Sequence, residues 1–353
     1  MSSFDAAASI ESAATPPSSW YTDEDLFSLE RESVFAKTWQ PVARVDALRA
    51  PGDFLAGHWF GEPIVVVCGR DGIPRAFYNV CRHHGAEILT GAGRVDELRC
   101  PYHGWSYDLD GRLRKAPRTA GIRDFDREGM SLRSLQLETW GPFVFVCTDA
   151  AAVPLAPRLA PLESRLERSR WRDLRFATRR TYEMACNWKV FVDNYLDGGY
   201  HVPSVHPELG SDLDLATYAT ETFEHFSLQS ARARESERLG GEVLYAWLYP
   251  GFMLNRYGPV LDTHWVVPLA VDRTRVVFDF YFLETEGPDA QRFIERSIRA
   301  SDAIQREDIA ISESVQRGLS SGGYDRGRYA PRVETAMHHF HRRLYADLRA
   351  ALD

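Results

Sequence analysis

The 353-residue chain contains little that marks a secreted, membrane-spanning or nucleic-acid-binding protein. Its five cysteines are an odd number in a chain long enough to fold without disulfides, so we expect none and a reducing, cytoplasmic location. No run approaches the roughly 18 apolar residues of a membrane span. Residues 1–18 lack the basic and apolar segments of a secretory signal. The net charge of −8 argues against nucleic acid as a partner.

The composition and the residue patterns predict a globular protein of two or three domains. Residues 1–18 are polar and predict a flexible N-terminal arm, and residues 19–38 predict a helix that packs on the second domain. Short β-rich runs between Gly, Pro and Asp turns predict a small β domain over residues 39–150. Residues 151–353 predict the second domain. It begins with a proline-rich linker at residues 150–161 and then alternates helical and strand-like segments. This part therefore predicts an α+β domain with an antiparallel sheet.

Two short pairs of candidate metal ligands lie close together in the first domain. Cys81 and His83 form one pair, Cys100 and His103 the other, and 16 residues separate the pairs. Thiolate and imidazole groups together bind zinc or iron–sulfur centres. Because each pair mixes the two ligand types and neither lies on a predicted helix, the pattern favours a Rieske [2Fe–2S] cluster, with Cys on one iron and His on the other. A zinc site, or cysteines and histidines with no common role, are the alternatives.

A second group of candidate ligands lies in the C-terminal domain. His201 and His206 follow a segment whose apolar residues recur at helical spacing. Two imidazoles and one carboxylate on one face of a metal leave open positions for O2 and substrate, as in non-heme Fe(II) oxygenases. The preferred carboxylate is Asp308, and Glu307 and Glu313 are the fallback choices. Taken alone, these residues are typical of a protein surface or core; the upstream pairs favour the metal site, because an electron-carrying cluster needs an acceptor.

The CxH and CxxH pairs, followed by a helix with two spaced histidines, resemble the Rieske non-heme iron oxygenase α-subunits. The phrases TPPSSWYTD, CNWKVFVDNYLDGGYHVP, ESVQRGL, GRY and HHFH resemble the choline monooxygenase branch, from about Thr15 to Leu348. The resemblance implies an antiparallel β Rieske domain and a catalytic domain of helix-grip type (Bet v1-like or START-like) with a curved antiparallel sheet. It also implies a homotrimer. The implied ligands are Cys81, His83, Cys100 and His103 for the cluster, and His201, His206 and Asp308 for a mononuclear Fe(II).

The sequence departs from the family at an acidic residue that bridges the two metal centres. Most members carry it three positions before the first iron-ligating histidine, where it contacts a Rieske histidine of the neighbouring subunit. Gly198 occupies that position here, and the nearest acid, Asp197, is four residues before His201. Residues three and four apart share a helix face, so Asp197 is our expected bridge. Glu313 is the runner-up.

The implied function is that of a terminal oxygenase, which activates O2 and hydroxylates or demethylates a small substrate. The chain contains no flavin or NAD fingerprint, so a separate ferredoxin or flavin reductase is expected to deliver electrons from NAD(P)H. A Rieske electron-transfer protein without catalysis and a zinc-stabilised binding module are alternatives of other classes. The first would need only the upstream ligand pairs, and the second would contain zinc without sulfide.

The preferred substrate class is a quaternary ammonium compound such as choline or a betaine. Aromatic cages bind such cations through cation–π attraction, worth about 2 kcal/mol or more when desolvated. Strand alternation predicts that Tyr245, Trp247 and Tyr249 share a face that lines a pocket, with Trp265 nearby. These residues are also typical of a sheet core, and an aromatic pocket equally suits a small neutral arene.

Overall fold

The computed structural model describes residues 4–234 and 238–352 and divides the chain into two compact units. One unit is formed by Phe35–Pro157, and the other by Met1–Val34 together with Arg158–Asp353. Within the described ranges, no helix combines the length and the apolar content needed to cross a bilayer.

The unit of residues 35–157 is built from antiparallel strands. A seven-stranded sheet has the order β1-β10-β9-β4-β3-β2-β5, and a smaller sheet has the order β6-β7-β8. The strands are β1 (Gln40–Arg44), β2 (Asp53–Trp59), β3 (Glu62–Cys68), β4 (Pro74–Tyr78), β5 (Gly91–Arg94), β6 (Leu98–Arg99), β7 (Ser106–Tyr107), β8 (Leu113–Lys115), β9 (Ser134–Trp140) and β10 (Phe143–Cys147).

Strand β3 explains how this unit places its ligand loops. Its uninterrupted apolar run is buried on both faces, as expected for a central strand. Ile64 and Val66 pack into one core, whereas Val65 and Val67 pack into a second core that also contains Cys81 and Cys100. Alternation along one strand therefore divides the unit into two cores, and the candidate cluster ligands belong to the second.

In the unit that includes residues 158–353, the described residues form one seven-stranded antiparallel sheet of order β11-β17-β16-β15-β14-β13-β12, with helices alongside. The expected α+β class with antiparallel sheets is confirmed. Its strands are β11 (Arg175–Met184), β12 (Leu213–Thr222), β13 (Phe226–Ala233), β14 (Gly241–Leu248), β15 (Phe252–Tyr257), β16 (Val260–Ala270) and β17 (Arg273–Phe282). The helices in the described part of the chain are α1 (Glu24–Glu30), α2 (Leu155–Glu167), α3 (Trp188–Tyr195), α4 (Val202–Val205), α5 (Pro207–Asp212), α6 (Pro288–Leu319) and α7 (Thr335–Leu352), with shorter turns at Ser18–Tyr21, Arg31–Phe35, Val45–Ala47 and Trp171–Asp173.

Residues 1–18, expected to form a flexible arm, make specific contacts with later residues in the part that the structure describes. Phe4 is buried and lies 5.2 Å from the ring of Trp20, centroid to centroid. Thr15 donates its backbone N–H to the carbonyl oxygen of Gly327 at 3.1 Å. The polar composition concealed these attachments, because one buried aromatic ring and a few backbone bonds are enough to fix the segment.

The N-terminal helix α1 begins at an Asp cap, Asp23. The side chain of Asp23 accepts the backbone N–H groups of Asp25 and Leu26, which supplies partners for two unpaired donors at the helix start. At the other end of α1, Glu30 is fully buried and receives Lys189 Nζ at 2.6 Å. This ion pair joins the N-terminal segment to α3.

The proline-rich linker expected at residues 150–161 is in part a helix. Helix α2 begins at Leu155, and its buried leucines recur three and four residues apart at positions 155, 159, 162 and 166. Proline is tolerated in a first helical turn because its missing N–H has no intrahelical partner there. Hydrophobic periodicity therefore outweighs the three prolines, and the helix continues through Pro161.

Two candidate metal centres

Two loops of matching geometry carry the cysteine–histidine pairs. In the first loop, Cys81 donates its backbone N–H to Ala86 O and accepts that of Gly85. In the second loop, which joins β6 to β7, Cys100 donates to Trp105 O and accepts from Gly104. The two glycines have φ values of 76° and 73°, the left-handed region that a side chain disfavours. The same tight turn is thus built twice.

The side chains of these loops come together in two pairs, the cysteines with each other and the histidines with each other. The thiols of Cys81 and Cys100 are buried, and the rings of His83 and His103 lie 4.7 Å apart. Burial raises the pKa of the Cys100 thiol, and the adjacent Cys81 thiol raises it further. The ring of His83 stacks on Trp105 at 4.7 Å, and its buried Nδ1 has no partner among the described residues. Two thiols and two imidazoles, one of them with an unpaired nitrogen, are the donor types of a Rieske cluster.

Tyr107 is a functional residue that the sequence analysis did not identify. Its buried hydroxyl lies 3.3 Å from Cys81 Sγ and accepts the backbone N–H of Arg82 at 2.9 Å. Burial raises the pKa of this phenol, and the contact with Cys81 raises it further. The hydroxyl therefore stays protonated and is available to donate to sulfur. The only sequence signal was an aromatic residue four positions after the second histidine.

The candidate iron ligands converge in the unit that includes residues 158–353. His206 Nε2 lies 3.0 Å from Asp308 Oδ1, and His201 Nε2 lies 4.0 Å from the same oxygen. One donor atom from each residue falls within 4.8 Å of the others, although Asp308 is more than a hundred positions along the chain. Two imidazoles and a carboxylate in this arrangement match the facial triad of non-heme iron sites.

Carboxylates hold both histidines on the side away from the triad. Asp197 Oδ2 lies 2.7 Å from His201 Nδ1, and Glu307 Oε2 lies 2.6 Å from His206 Nδ1. In neutral imidazoles, this places the proton on Nδ1 and leaves Nε2 free to bind a metal. Burial alone would lower the pKa of His206, but the hydrogen bonds and charges of Asp308 and Glu307 raise it. Glu307, a fallback ligand in the sequence analysis, therefore orients a ligand.

Two glycines explain how an acid four residues before His201 reaches it. Gly198 and Gly199 both adopt left-handed φ angles, 71° and 73°. A Cβ on Gly198 would lie 2.2 Å from the carbonyl oxygen of Val333, so no other residue fits without a shift. The turn returns Asp197 to the backbone N–H of His201 at 2.9 Å as well as to its ring.

The runner-up bridge, Glu313, lies elsewhere. Its Oε1 accepts the backbone N–H of Ala185 at 3.0 Å, just before α3. Asn194, on α3, was not predicted but donates its side-chain N–H to Asp308 Oδ1 at 2.7 Å. No local pattern marks Asn194, because its partner comes from α6.

A cavity of about 890 Å³, including its open mouth, adjoins the triad and is lined by α3, α6 and strands β12 to β17. Six strands line one concavity, which is the curved sheet expected for a helix-grip domain. The aromatic residues that line it are Phe191, Tyr195, Tyr218, Tyr245, Tyr257 and Phe278. Its polar lining includes Gln229, Arg238, Asn255, Asp262, His264 and Gln305.

Of the four predicted pocket residues, only Tyr245 lines this cavity. Trp247 donates its indole N–H to Pro250 O and packs on Phe340 of α7, at 5.3 Å. Tyr249 lies under the guanidinium of Arg343. Alternation placed Trp247 on the same strand face, but α7 covers that stretch of the face.

Trp265 also lies outside the cavity. Its neighbour in the strand, His264, lines the cavity, so alternation directs Trp265 to the opposite side of the sheet. There it contacts the guanidinium of Arg179 at 5.0 Å.

Comparisons with known proteins agree with both centres. Residues 38–126 match the Rieske [2Fe-2S] domain family, and residues 171–349 match the ring hydroxylating alpha subunit (catalytic domain) family. The chain therefore belongs to the Rieske-type ring-hydroxylating oxygenase α-subunits. Proteins of this family are oxidoreductases that use a Rieske cluster, mononuclear iron and O2, with electrons from a partner reductase. The oxygenase class and these cofactors, expected from the sequence, are confirmed.

Individual members of the family show which branch the chain resembles. The chain is 45% identical to the chloroplastic choline monooxygenase of Arabidopsis thaliana, over 98% of this chain and 86% of that one. It is 34% identical to the carnitine monooxygenase oxygenase subunit of Escherichia coli (strain K12), over 90% and 87%. The solved structure of the quaternary ammonium Rieske monooxygenase CntA with L-carnitine has a TM-score of 0.82 at 32% identity, covering 96% of this chain and 95% of that one.

Proposed function

We propose that the protein is the terminal oxygenase component for a quaternary ammonium compound, which it hydroxylates or demethylates. The observation that carries this proposal is the aromatic cavity that opens on His201, His206 and Asp308. Aromatic faces attract a desolvated trimethylammonium group that cannot donate hydrogen bonds. The similar choline and carnitine monooxygenases are named for substrates that carry such a cation. A small neutral arene is a poorer match, because the walls include the buried carboxylate of Asp262 and the guanidinium of Arg238.

Each centre has a proposed set of ligands. Cys81, His83, Cys100 and His103 would hold the cluster, and His201, His206 and Asp308 would hold the mononuclear iron. These groups, when bound, supply one-electron transfer and O2 activation. The chain itself fixes the tautomers of His201 and His206 through Asp197 and Glu307, and its cavity offers the substrate a lining rich in aromatic residues beside them.

Asp197 is also the proposed bridge between centres of neighbouring subunits in a homotrimer. Its carboxylate already bonds the ring of His201, so it lies beside one centre. The family places an acid beside this histidine, and Glu313 is committed to Ala185. A ferredoxin or flavin reductase is the proposed electron donor, and a reducing compartment such as the cytoplasm is the proposed location, consistent with five cysteines free of disulfides.

Metal content and substrate-dependent oxygen uptake test the proposal together. Protein purified anaerobically should contain three irons and two acid-labile sulfides per chain. With a reductase and NADH, choline, glycine betaine or carnitine should stimulate oxygen uptake and yield an oxygenated or demethylated product, whereas simple arenes should not. The control is His201→Ala, which should lose turnover and keep the visible spectrum of the cluster. Zinc without sulfide, or turnover of arenes alone, would contradict the proposal.

A further inference from the structure

A network of buried polar side chains forms one wall of the cavity, on strands β15 and β16. Tyr257 donates its hydroxyl to Asp262 Oδ2 at 2.5 Å, and Asn255 donates Nδ2–H to Asp262 Oδ1 at 2.8 Å. His264 Nε2 lies 3.1 Å from the same Oδ1. All of these residues line the cavity that opens on the triad, yet none belongs to the triad or to its carboxylate supports.

Asp262 determines which nitrogen of His264 carries a proton. Burial alone would raise the pKa of the Asp262 carboxyl, but the hydrogen bond and charge of His264, the bond from Tyr257 and the charge of Arg238 lower it. The carboxylate is therefore ionised at neutral pH and can only accept hydrogen bonds. Nε2 faces this carboxylate and also lies 3.1 Å from Asn255 Nδ2. Because Asn255 donates its proton to the same Asp262 oxygen, Nε2 of His264 carries a proton of its own. In the neutral imidazole, Nδ1 is then an acceptor with a free lone pair.

That acceptor has no protein partner. His264 Nδ1 is buried and makes no hydrogen bond with any described residue. The ring cannot easily turn to find one, because it stacks on Phe278 with centroids 3.7 Å apart and an interplanar angle of 11°. An unpaired buried polar atom costs about 1–3 kcal/mol unless a ligand or water satisfies it. In a substrate cavity, such an atom is the complement of a donor on the ligand.

We propose that His264, held by Asp262, is a positioning residue that accepts a hydrogen bond from the hydroxyl group of a quaternary amino alcohol. This inference rests on the proposed function and narrows its substrate class. A hydroxyl is the group that such a substrate can donate, because its trimethylammonium end has no N–H. A carboxylate, which only accepts, would face the lone pair of Nδ1 and be repelled.

Arg238 offers the competing possibility of a carboxylate partner. It lines the same cavity, and its Nε is buried without a partner among the described residues. However, its Nη2 donates to Tyr257 at 2.9 Å, and Tyr257 in turn donates to Asp262. The charges of Arg238 and Asp262 are thus balanced through one hydroxyl. This wall has no net charge, which suits a neutral hydroxyl.

The test compares choline with its deoxy analogue, the ethyltrimethylammonium ion, which has the same cation and no hydroxyl. We expect the wild-type holoenzyme to bind choline roughly 10- to 100-fold more tightly than the analogue, the penalty of leaving a buried acceptor unpaired. The ratio of the two calorimetric dissociation constants measures this preference. Glycine betaine, which carries a carboxylate, should bind more weakly than choline.

Two substitutions at one position separate the role of Nδ1 from that of the fold. His264→Gln places an amide near the Nε2 position, keeps the bond to Asp262 and leaves nothing at the Nδ1 position, so the preference for choline should fall to about onefold. His264→Asn places an amide oxygen near the Nδ1 position and should restore part of the preference. Trp265→Phe, in the same strand but outside the cavity, is the matched control and should leave the ratio unchanged.

Several results would overturn the inference. Equal dissociation constants for choline and the deoxy analogue in the wild type would do so, as would a binding preference for choline that survives in His264→Gln. A third such result is a wild type that prefers glycine betaine and loses that preference in Arg238→Gln. That result would show that Arg238, not His264, binds the polar end of the substrate. In these cases quaternary ammonium substrates still support turnover, so the proposed function survives. If no quaternary ammonium compound binds, both fail.

Discussion

The two candidate centres are positioned by different means. In the Rieske unit, backbone hydrogen bonds form the same turn around Cys81 and Cys100, and the ligands lie within 23 consecutive residues. In the catalytic unit, side chains hold the ligands: Asp197 on His201, Glu307 on His206 and Asn194 on Asp308. A backbone scaffold tolerates changes in neighbouring side chains, whereas a side-chain scaffold does not. Single substitutions around the ligands should therefore damage the second centre more than the first.

The largest effects should come from removing a ligand at either centre, and they should differ in kind. His206→Ala leaves two donors for the mononuclear site, so we expect turnover to vanish and iron to fall from three to two per chain while the cluster spectrum remains. Cys100→Ser should remove the cluster and its colour and leave one iron. Iron and sulfide assays with visible spectra measure both. Full iron content in His206→Ala would contradict the assignment of this ligand.

The next effect concerns communication between the centres. Asp197→Asn keeps an oxygen that can accept from His201 but removes the charge, so both centres should keep their metals. We expect turnover to fall roughly 10- to 100-fold, the range typical of groups that support a metal ligand. Stopped-flow oxidation of the reduced cluster by O2 and substrate should slow equally. Glu313→Gln tests the runner-up acid and should change neither quantity; a larger effect there would reassign the bridge.

The contrast between the centres also decides what a sequence can predict. The ligand pairs of the Rieske unit are recognisable because Cys81, His83, Cys100 and His103 repeat one local spacing, and a local turn determines their geometry. The strands of the catalytic sheet are recognisable for the same reason, since alternation and turn residues are local signals. His201 and His206 are spaced as ligands, but no local signal separates their third partner, Asp308, from Glu307 and Glu313.

The supports of the second centre could not be predicted, because each joins elements far apart in the chain. Glu307 contacts His206 only when α6 packs beside α4, and nothing around position 307 indicates that contact. Trp247 shows the same limit for the cavity: alternation gave its face correctly, but the arrival of α7 decided that this stretch is covered. The lack of space for a side chain at Gly198 is likewise set by the carbonyl of Val333, which comes from a distant part of the chain.

A smaller effect should follow from weakening one support of the mononuclear site. Glu307→Gln removes the charge opposite His206 Nδ1 but leaves an amide oxygen in place, so the ring keeps its orientation and loses basicity. We expect iron affinity to fall roughly tenfold, measured as faster loss of iron to a chelator. Cluster content should not change. If iron is retained as in the wild type, the side chain of Glu307 does not support the ligand.

The smallest effect should be on the backbone-built centre and should leave it intact. Tyr107→Phe removes the hydroxyl beside Cys81 Sγ without disturbing the two turns, whose hydrogen bonds are made by the backbone. A hydrogen bond to sulfur stabilises the reduced cluster, and at about 1 kcal/mol its loss should lower the one-electron reduction potential by roughly 40 mV. Voltammetry measures the shift, and Tyr102→Phe, at an exposed position next to His103, is the matched control. If Tyr107→Phe instead caused loss of the cluster, the turns alone would not hold its ligands, and the distinction between a backbone-built and a side-chain-built centre would not stand.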